Sequence, residues 1–421
     1  MLNKTLRTME KFIPRRLFQM GQPIYHYFLS FVGAVMYRFP SRKLKVVGIT
    51  GTKGKTSTAE FVNAILEEAG KKTVLAGTLR FKMDRESKPN MYKMTMPGRF
   101  FIQKFLRQAV DRNCEYAIIE ISSEAAKQYR HKFIDLNALI FTNLAPEHIE
   151  AHGSYENYIK AKVSIAHALE KSPKKDKVII VNIDDEEGWR FLDIKTAEKI
   201  TYSIQEIEPL VISEDMNKFI YRSTEIGSEL PGKFNLYNML GAIKYAETED
   251  IGMETISRGI GKLKEIKGRV ENIQVSGKQD FKVIVDYAHT PESLVAIYET
   301  FPESRKIGVL GACGGGRDKW KRKVMAEVAE KYCKEIILTD EDPYEDEPRE
   351  IVEDMAQHFK NKKPEIIMDR REAIGTAFKK ARKGDVVIIT GKGTDPYIMR
   401  KNGAKERWSD AEVAREELLK I

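Results

Sequence analysis

The sequence predicts an α/β protein with two successive units, each a mostly parallel sheet with helices on both faces. Three observations carry this. From Lys45 onward, short apolar runs (KVVGIT, KTVLAG, EYAIIEIS, NALIFTN, KVIIVNID) alternate with helical text such as STAEFVNAILEEAG, which Gly70 ends. That is the rhythm of βαβ units, and the runs read as buried strands. The rhythm pauses at ELPGKFNLYNMLGAIKYA, a loop entering a helix. It resumes after Glu271 with FKVIVDYA, KIGVLGAC, EIILTD, EIIMDR and DVVIITGK, a separate, doubly wound (Rossmann-like) unit. The expected division is an N-terminal helical segment (1–43), a central unit (44–270) and a C-terminal unit (271–421).

At the start of the chain, KFIPRRLF is basic and PIYHYFLSFVGAVMYRF is almost wholly apolar. The run is about as long as a minimal membrane span. It contains His26 and three tyrosines and no small-residue cleavage site follows, so it is not read as a secretory signal. Three readings stay open: a helix packed on the next unit, an interfacial helix with residues 11–39 on a membrane surface, and a true span. The 421 residues exceed one ordinary core. A net charge of +9 suits nucleic acid, a membrane surface or a polyanionic small substrate. Charges of both signs are spread along the chain, and no nucleic-acid recognition element is found. Cys114, Cys313 and Cys333 have no metal-ligand spacing. So sparse and odd a count fits a reducing cytosol without a disulfide framework.

The first strand runs into VVGITGTKGKTSTAEF. Strand, glycine loop and helix follow in the order that a phosphate cradle requires. The glycines let backbone N–H groups approach phosphate oxygens, and the helix start adds partial positive charge. Lys55 is placed to reach terminal phosphates, and the Thr56 hydroxyl to hold Mg²⁺. The loop therefore predicts ATP binding, with Gly51, Thr52, Lys53, Gly54, Lys55, Thr56 and Ser57 as its residues. The usual pattern of Gly, four residues, Gly-Lys-[Ser/Thr] is not met, because Ile49 stands five residues before Gly54.

Further motifs give that spacing a meaning. They are MTMPG (Met94–Gly98), EISS (Glu120–Ser123), FTNLAPEHIEAHGSYENYIKAK (Phe141–Lys162), GKFNLYN ending at Asn238, GRVE (Gly268–Glu271), DYAHTP (Asp286–Pro291) and GACGGGRDKWKR (Gly311–Arg322). With TGTKGKTST, their order resembles the Mur ligase family, ATP-dependent amide ligases that build the peptidoglycan stem peptide. DYAHTP with GACGGGRDKWKR looks like its muramyl-tripeptide synthetase branch, which adds the third amino acid to a UDP-N-acetylmuramoyl-dipeptide through an acyl phosphate. The resemblance covers nearly all of the chain from Lys45 onward. It implies ATP with two Mg²⁺ sites held by Thr56, Glu120, His148 and Lys162. Lys162, fourteen residues after His148, stands where these ligases carry a carbamylated lysine. The resemblance also implies nucleotide contacts from Asn235, Asn238, Arg269, Asp286 and His289, with Lys319 and His289 closing over the phosphates. It places Thr95, Pro97, Ser122 and Ser123 at the muramyl-peptide precursor and Asp342, Pro343, Tyr344, Gly391 and Asp395 at the incoming amino acid. Lys55, Glu120, His148 and Lys162 are the catalytic set. The expected enzyme is a cytoplasmic monomer with small-molecule substrates and no nucleic-acid partner, with membrane-surface contact through residues 11–39 as an open alternative.

Several departures qualify the likeness. Lys53 replaces an Asn, Ser57 a Thr, Glu147 an Asp and Met96 a Thr. Family members carry a full front domain that holds UDP, whereas a short segment precedes Lys45 here. A lipid-linked acceptor is therefore an alternative, as are a folylpolyglutamate- or cyanophycin-type ligase and an inactive nucleotide-binding scaffold. Enzymes adding diaminopimelate usually read DNPR, and this chain has Glu341-Asp342-Pro343-Tyr344; GKGTDP replaces GKGHE, with Asp395 for Glu. Tyr344 cannot make the bidentate ion pair of an Arg. With Arg317 and Lys319 near in sequence only, the site reads as carboxylate-rich and lacking a cation. The resulting expectation is that lysine or another diamine serves at least as well as diaminopimelate.

Overall fold

The computed structural model describes residues 15–147, 149–195, 198–275, 279–317 and 319–421, and side chains from Gly21 onward. His148 and residues 11–14 of the N-terminal run lie outside the described residues. The chain forms two compact units. One comprises the described residues up to Ala145, Glu156–Ser203 and Gly241–Asp250; the other comprises Pro146–Tyr155, Ile204–Leu240 and Ile251–Ile421.

The first unit is built on an eight-stranded sheet. Its strands are β1 (Lys45–Thr50), β2 (Thr73–Ala76), β3 (Arg80–Met83), β4 (Glu86–Pro89), β5 (Tyr116–Glu120), β6 (Ala138–Phe141), β7 (Val178–Asn182) and β8 (Glu198–Tyr202). The order is β4-β3-β2-β5-β1-β6-β7-β8. All neighbours are parallel except β2–β3 and β3–β4. β1 lies between β5 and β6, and from Val46 to Thr50 every residue is buried, which is why its sequence is apolar on both faces. The chain leaves β5 on one side of β1 and returns as β6 on the other. The strand ends at Thr50, Glu120 and Phe141 thus open at a topological switch point, where such sheets bind ligands. The expected helix forms over Lys55–Glu68, and Gly70 follows it in the left-handed conformation (φ 75°).

An N-terminal helix, Arg15–Met36, packs on the helix Arg99–Asp111. Ser30 donates to Tyr129 O at 2.7 Å, and Ala34 is fully buried. No helix among the described residues is long and apolar enough to cross a membrane.

The second unit holds a three-stranded antiparallel sheet and a six-stranded one. The first is β9 (Glu208–Ile212), β10 (Asn217–Tyr221) and β11 (Thr224–Ser228). The second is β12 (Glu271–Asn272), β13 (Lys282–Val285), β14 (Lys306–Leu310), β15 (Glu335–Leu338), β16 (Glu365–Ile366) and β17 (Val386–Ile389), in the order β12-β13-β17-β14-β15-β16. Successive side chains point to opposite faces. Ile284, Leu310, Leu338 and Ile388 enter one apolar cluster, and Val283, Val285, Val309, Ile337 and Ile389 enter another. Both faces are therefore buried, as the unbroken apolar runs predict. All ten expected strands form.

Candidate active site

The phosphate loop joins β1 to the helix Lys55–Glu68. Gly51 has φ 147°, and a Cβ there would stand 1.9 Å from Thr142 Oγ1, so only glycine fits. The segment after β6 holds the loop. Asn143 Oδ1 accepts the Lys53 N–H at 2.9 Å, and Thr142 Oγ1 donates to Lys53 O at 2.6 Å. Thr52 Oγ1 accepts from Ala145 N and lies 2.7 Å from the Tyr158 hydroxyl. Lys55 Nζ donates to Gly51 O and Thr52 O, each at 2.8 Å. Lys162, buried on the helix Tyr155–Glu170, donates to the same Gly51 O at 2.6 Å. Two ammonium groups converge on one carbonyl.

Glu120 ends β5 beside this loop and is 1% exposed. Its Oε2 accepts from Thr56 Oγ1 and Thr78 Oγ1, each at 3.0 Å, and its Oε1 accepts the Thr78 N–H at 2.8 Å. Burial pushes its carboxyl above the ordinary range, against the pull of these donors and of Lys55. Thr78 has one proton and gives it to Glu120, so at 3.0 Å it accepts from Thr95 Oγ1. One hydrogen-bonded chain thus links Thr56 of the loop to Thr95 of MTMPG. A carboxylate with two hydroxyls is a hard-oxygen set that suits Mg²⁺, which takes a carboxylate or two together with substrate phosphates.

Around MTMPG, Met96 is fully buried and its carbonyl accepts from Arg130 Nη1 at 2.5 Å. Pro97 precedes Gly98, the N-cap of the helix Arg99–Asp111. Ser122 caps the short helix Ser123–Lys127 by accepting from Ala125 N at 3.2 Å, and Ser123 is buried in its first turn. Arg130 and Gln128, bonded to each other at 2.7 Å, were not singled out from sequence. Their only sequence signal is a basic residue seven positions after EISS, past Lys127.

The other expected residues lie on the second unit. Asn238 Nδ2 donates to Asn235 Oδ1 at 3.0 Å near the start of the helix Lys233–Thr248, so the two share a face as expected. Arg269 stacks 4.6 Å above the Tyr287 ring. Asp286 accepts the N–H groups of Val270 (2.8 Å) and Ala288 (2.7 Å), bracketing GRVE against DYAHTP, and burial raises its carboxyl. His289 Nε2 lies 3.0 Å from Glu147 Oε1, the residue next to His148.

Asp342 accepts the Met399 N–H at 2.8 Å and meets Lys392 Nζ at 2.9 Å. Lys392 also lies 3.4 Å from Asp395, and no part of its side chain is exposed. Asp340 is paired with Arg400, and Arg370 forms a buried pair with Asp410 at 2.7 Å while donating to Thr390 O and Asp340 O. Pro343 is buried, and Tyr344 follows it with φ 54°. Gly391 packs its Cα against Glu341, whose carboxyl burial pushes up and whose Oε2 has no hydrogen-bond partner. One expectation is corrected here. Arg317 is not near Tyr344 in sequence only: its guanidinium lies 4.5 Å above the Tyr344 ring. The site has its cation, and Asp342 and Asp395 share Lys392, so the charge argument for a diamine loses its premise.

Comparison with known proteins agrees with this architecture. The Mur ligase middle domain matches residues 49–246, and the Mur ligase glutamate ligase domain matches residues 268–393. The UDP-N-acetylmuramoyl-L-alanyl-D-glutamate–2,6-diaminopimelate ligase of Syntrophomonas wolfei is 35% identical over 403 residues, covering 92% of this chain and 81% of that one. A solved structure of a ligase of that name is 25% identical with a TM-score of 0.62, covering 92% of this chain and 82% of that one. Mycobacterium tuberculosis folylpolyglutamate synthase, complexed with ADP and AMPPCP, shares the fold at 14% identity (TM-score 0.69, covering 88% and 93%).

Proposed function

The chain belongs to the Mur ligase family, and on that premise we propose that it extends a UDP-N-acetylmuramoyl-dipeptide by one amino acid at the expense of ATP, in peptidoglycan precursor synthesis. The observation that carries this is the Thr56–Glu120–Thr78–Thr95 chain, which ties a phosphate loop to the segment assigned to the acceptor. An acceptor carboxylate oxygen attacks the γ-phosphorus and ADP leaves. The amine then attacks the acyl phosphate carbonyl, phosphate is expelled and the amine gives up a proton. Lys55 is the cation facing the charge that grows on the transferred phosphoryl group. Gly51, Thr52, Lys53, Gly54, Thr56 and Ser57 frame the phosphates; Asn235, Asn238, Arg269, Asp286 and His289 complete the nucleotide site.

Mg²⁺, when bound, supplies Lewis-acid charge stabilisation; Thr56 and Glu120 would hold one ion, His148 and carbamylated Lys162 a second. Carbamylation makes Lys162 an anion but leaves one N–H on Nζ, so the bond to Gly51 O can be kept while the new carboxylate turns toward the metal. Accordingly Lys162→Ala abolishes ligation, and bicarbonate restores activity to enzyme stripped of CO₂. Near-normal turnover of the variant, or indifference to bicarbonate, overturns the carbamate.

Thr95, Pro97, Ser122 and Ser123 hold the acceptor, and Asp342, Pro343, Tyr344, Gly391 and Asp395 line the amino-acid site. With Arg317 beside Tyr344, diaminopimelate is the substrate that fits this reading, as in the relatives' names. The enzyme works as a cytoplasmic monomer of central (44–270) and C-terminal (271–421) domains, with residues 11–39 touching a membrane surface. The test is ADP release with UDP-linked and lipid-linked dipeptide, each crossed with diaminopimelate and lysine. Turnover with the UDP-linked acceptor and a tenfold or greater preference for diaminopimelate, about 1.4 kcal/mol, is expected. No amine-dependent ADP release from either acceptor sinks the ligase reading.

A further inference from the structure

From Gly21 onward, the helix Arg15–Met36 turns several of its large apolar residues outward. Ile24, Phe28, Phe31 and Val35 follow at intervals of four, three and four, so they form one stripe along the axis. Their exposures are 74%, 60%, 43% and 49%, Phe31 being the one that also reaches the Phe133 ring, at 5.4 Å. Packing is done by the neighbouring face. Ser30 bonds Tyr129 O, Gly33 and Ala34 are buried, and the Tyr27 ring lies 5.1 Å from Phe133. No Asp, Glu, Lys or Arg occurs between Arg16 and Arg38, so the solvated side lacks the charges that normally cover such a helix.

In the sequence, basic residues flank this uncharged run on both sides. From Lys11 to Lys45 there are seven Lys and Arg and no Asp or Glu. Arg42 stacks on Phe39 (4.3 Å), whose ring lies 6.5 Å from Phe31 at the stripe's end. Arg42 also meets Asp135 at 3.1 Å, and Arg38 and Lys43 are exposed beside it.

We infer that this stripe docks on an anionic lipid bilayer, the helix lying in the interface with its basic ends at the headgroups. This sharpens the membrane-surface part of the proposal above and rests on it. Apolar burial and attraction to anionic lipid add in such helices. A second copy as occupant would set two like-charged ends against each other. The docked helix would bring the acceptor segment close to the bilayer, because Ser30 holds Tyr129 and its neighbour Arg130 holds Met96.

The test is co-sedimentation of the full chain with phosphatidylcholine vesicles, with and without phosphatidylglycerol, and the same for a variant with Ile24→Gln, Phe28→Gln and Phe31→Gln. Phosphatidylglycerol should raise binding by about tenfold or more, raised salt should reverse this, and the variant should lose it. Equal binding to both vesicles, or unchanged binding by the variant, overturns the inference. So does concentration-dependent self-association of the wild type that the variant abolishes without any vesicle binding, which would assign the stripe to a second copy. ADP release on the soluble acceptor, measured on both proteins without vesicles, should not differ between them. Its absence from both would count against the ligase reading and leave the vesicle result standing.

Discussion

The phosphate loop and the Asp342–Tyr344 region are both polar sites at strand ends, yet they are held in different ways. In the loop the backbone does the holding. Gly51 lets the chain approach Thr142, and the N–H and C=O of Lys53 are the groups that Asn143 and Thr142 bind. The Lys53 side chain takes no part in those bonds, so its substitution for the family's Asn leaves the cradle intact. In the second region side chains neutralise one another. Lys392 sits between Asp342 and Asp395, Arg370 meets Asp410, and Arg317 covers Tyr344. A site of the first kind tolerates exchange of a side chain such as that of Lys53, whose backbone alone is held. One of the second kind cannot lose a member without stranding a buried charge.

The largest effect expected from this contrast is on folding. Asp410→Ala leaves the fully buried Arg370 guanidinium without its carboxylate and should cost about 3–5 kcal/mol, read as a lower midpoint in urea for the second unit. A loss under about 1 kcal/mol would break the comparison. Lys55→Ala should do the reverse, with the urea midpoint kept and kcat down by about 10²–10³, or roughly 2.7–4 kcal/mol. Arg317→Ala should raise KM for the amino acid by about ten- to a hundredfold, or roughly 1.5–3 kcal/mol, with KM for ATP unchanged. If both rise together, Arg317 serves phosphate closure instead.

The smallest effect is pH-dependent. Burial raises the Glu341 carboxyl in the folded chain. Its contribution is therefore fully present below the unfolded value of about 4.3 and is lost as pH rises through the folded one. Glu341→Gln should raise stability at neutral pH by about 1 kcal/mol and match the wild type near pH 4. A thermal-melt series from pH 4 to pH 8 with no convergence at the acid end would show that the buried carboxyl is not the cause.

Nine of the ten expected strands were legible because both of their faces are largely covered; the tenth, β16, forms as two exposed residues at the sheet edge. β3, β4 and the β9–β11 sheet were not. β9 is exposed along its whole length and β4 likewise; β10 and β11 alternate in burial, but their buried positions include Asn217 and Ser228, so their text is not an apolar run. At the site, the loop, Glu120 and Thr95 were readable because spacing along the backbone fixes them. The Arg317–Tyr344 stack and the Lys392 bridge join side chains 27 and 50 residues apart from their partners in sequence, and the chance that they meet is decided by how strands are ordered. Arg130 was missed for the same reason.

That strand order has a consequence in time. β17 is the last strand of the six-stranded sheet to be synthesised, yet it lies between β13 and β14. A nascent chain that has not yet released Ile389 from the ribosome can pair β14 with β15, but β13 waits with only β12 beside it. Closure then joins segments about a hundred residues apart, a non-local step of the kind that slows folding and prolongs exposure of apolar strands. The second half of this enzyme should therefore lean on chaperones late in translation, and a chain stopped before Val386 should be a degradation substrate, not a smaller domain.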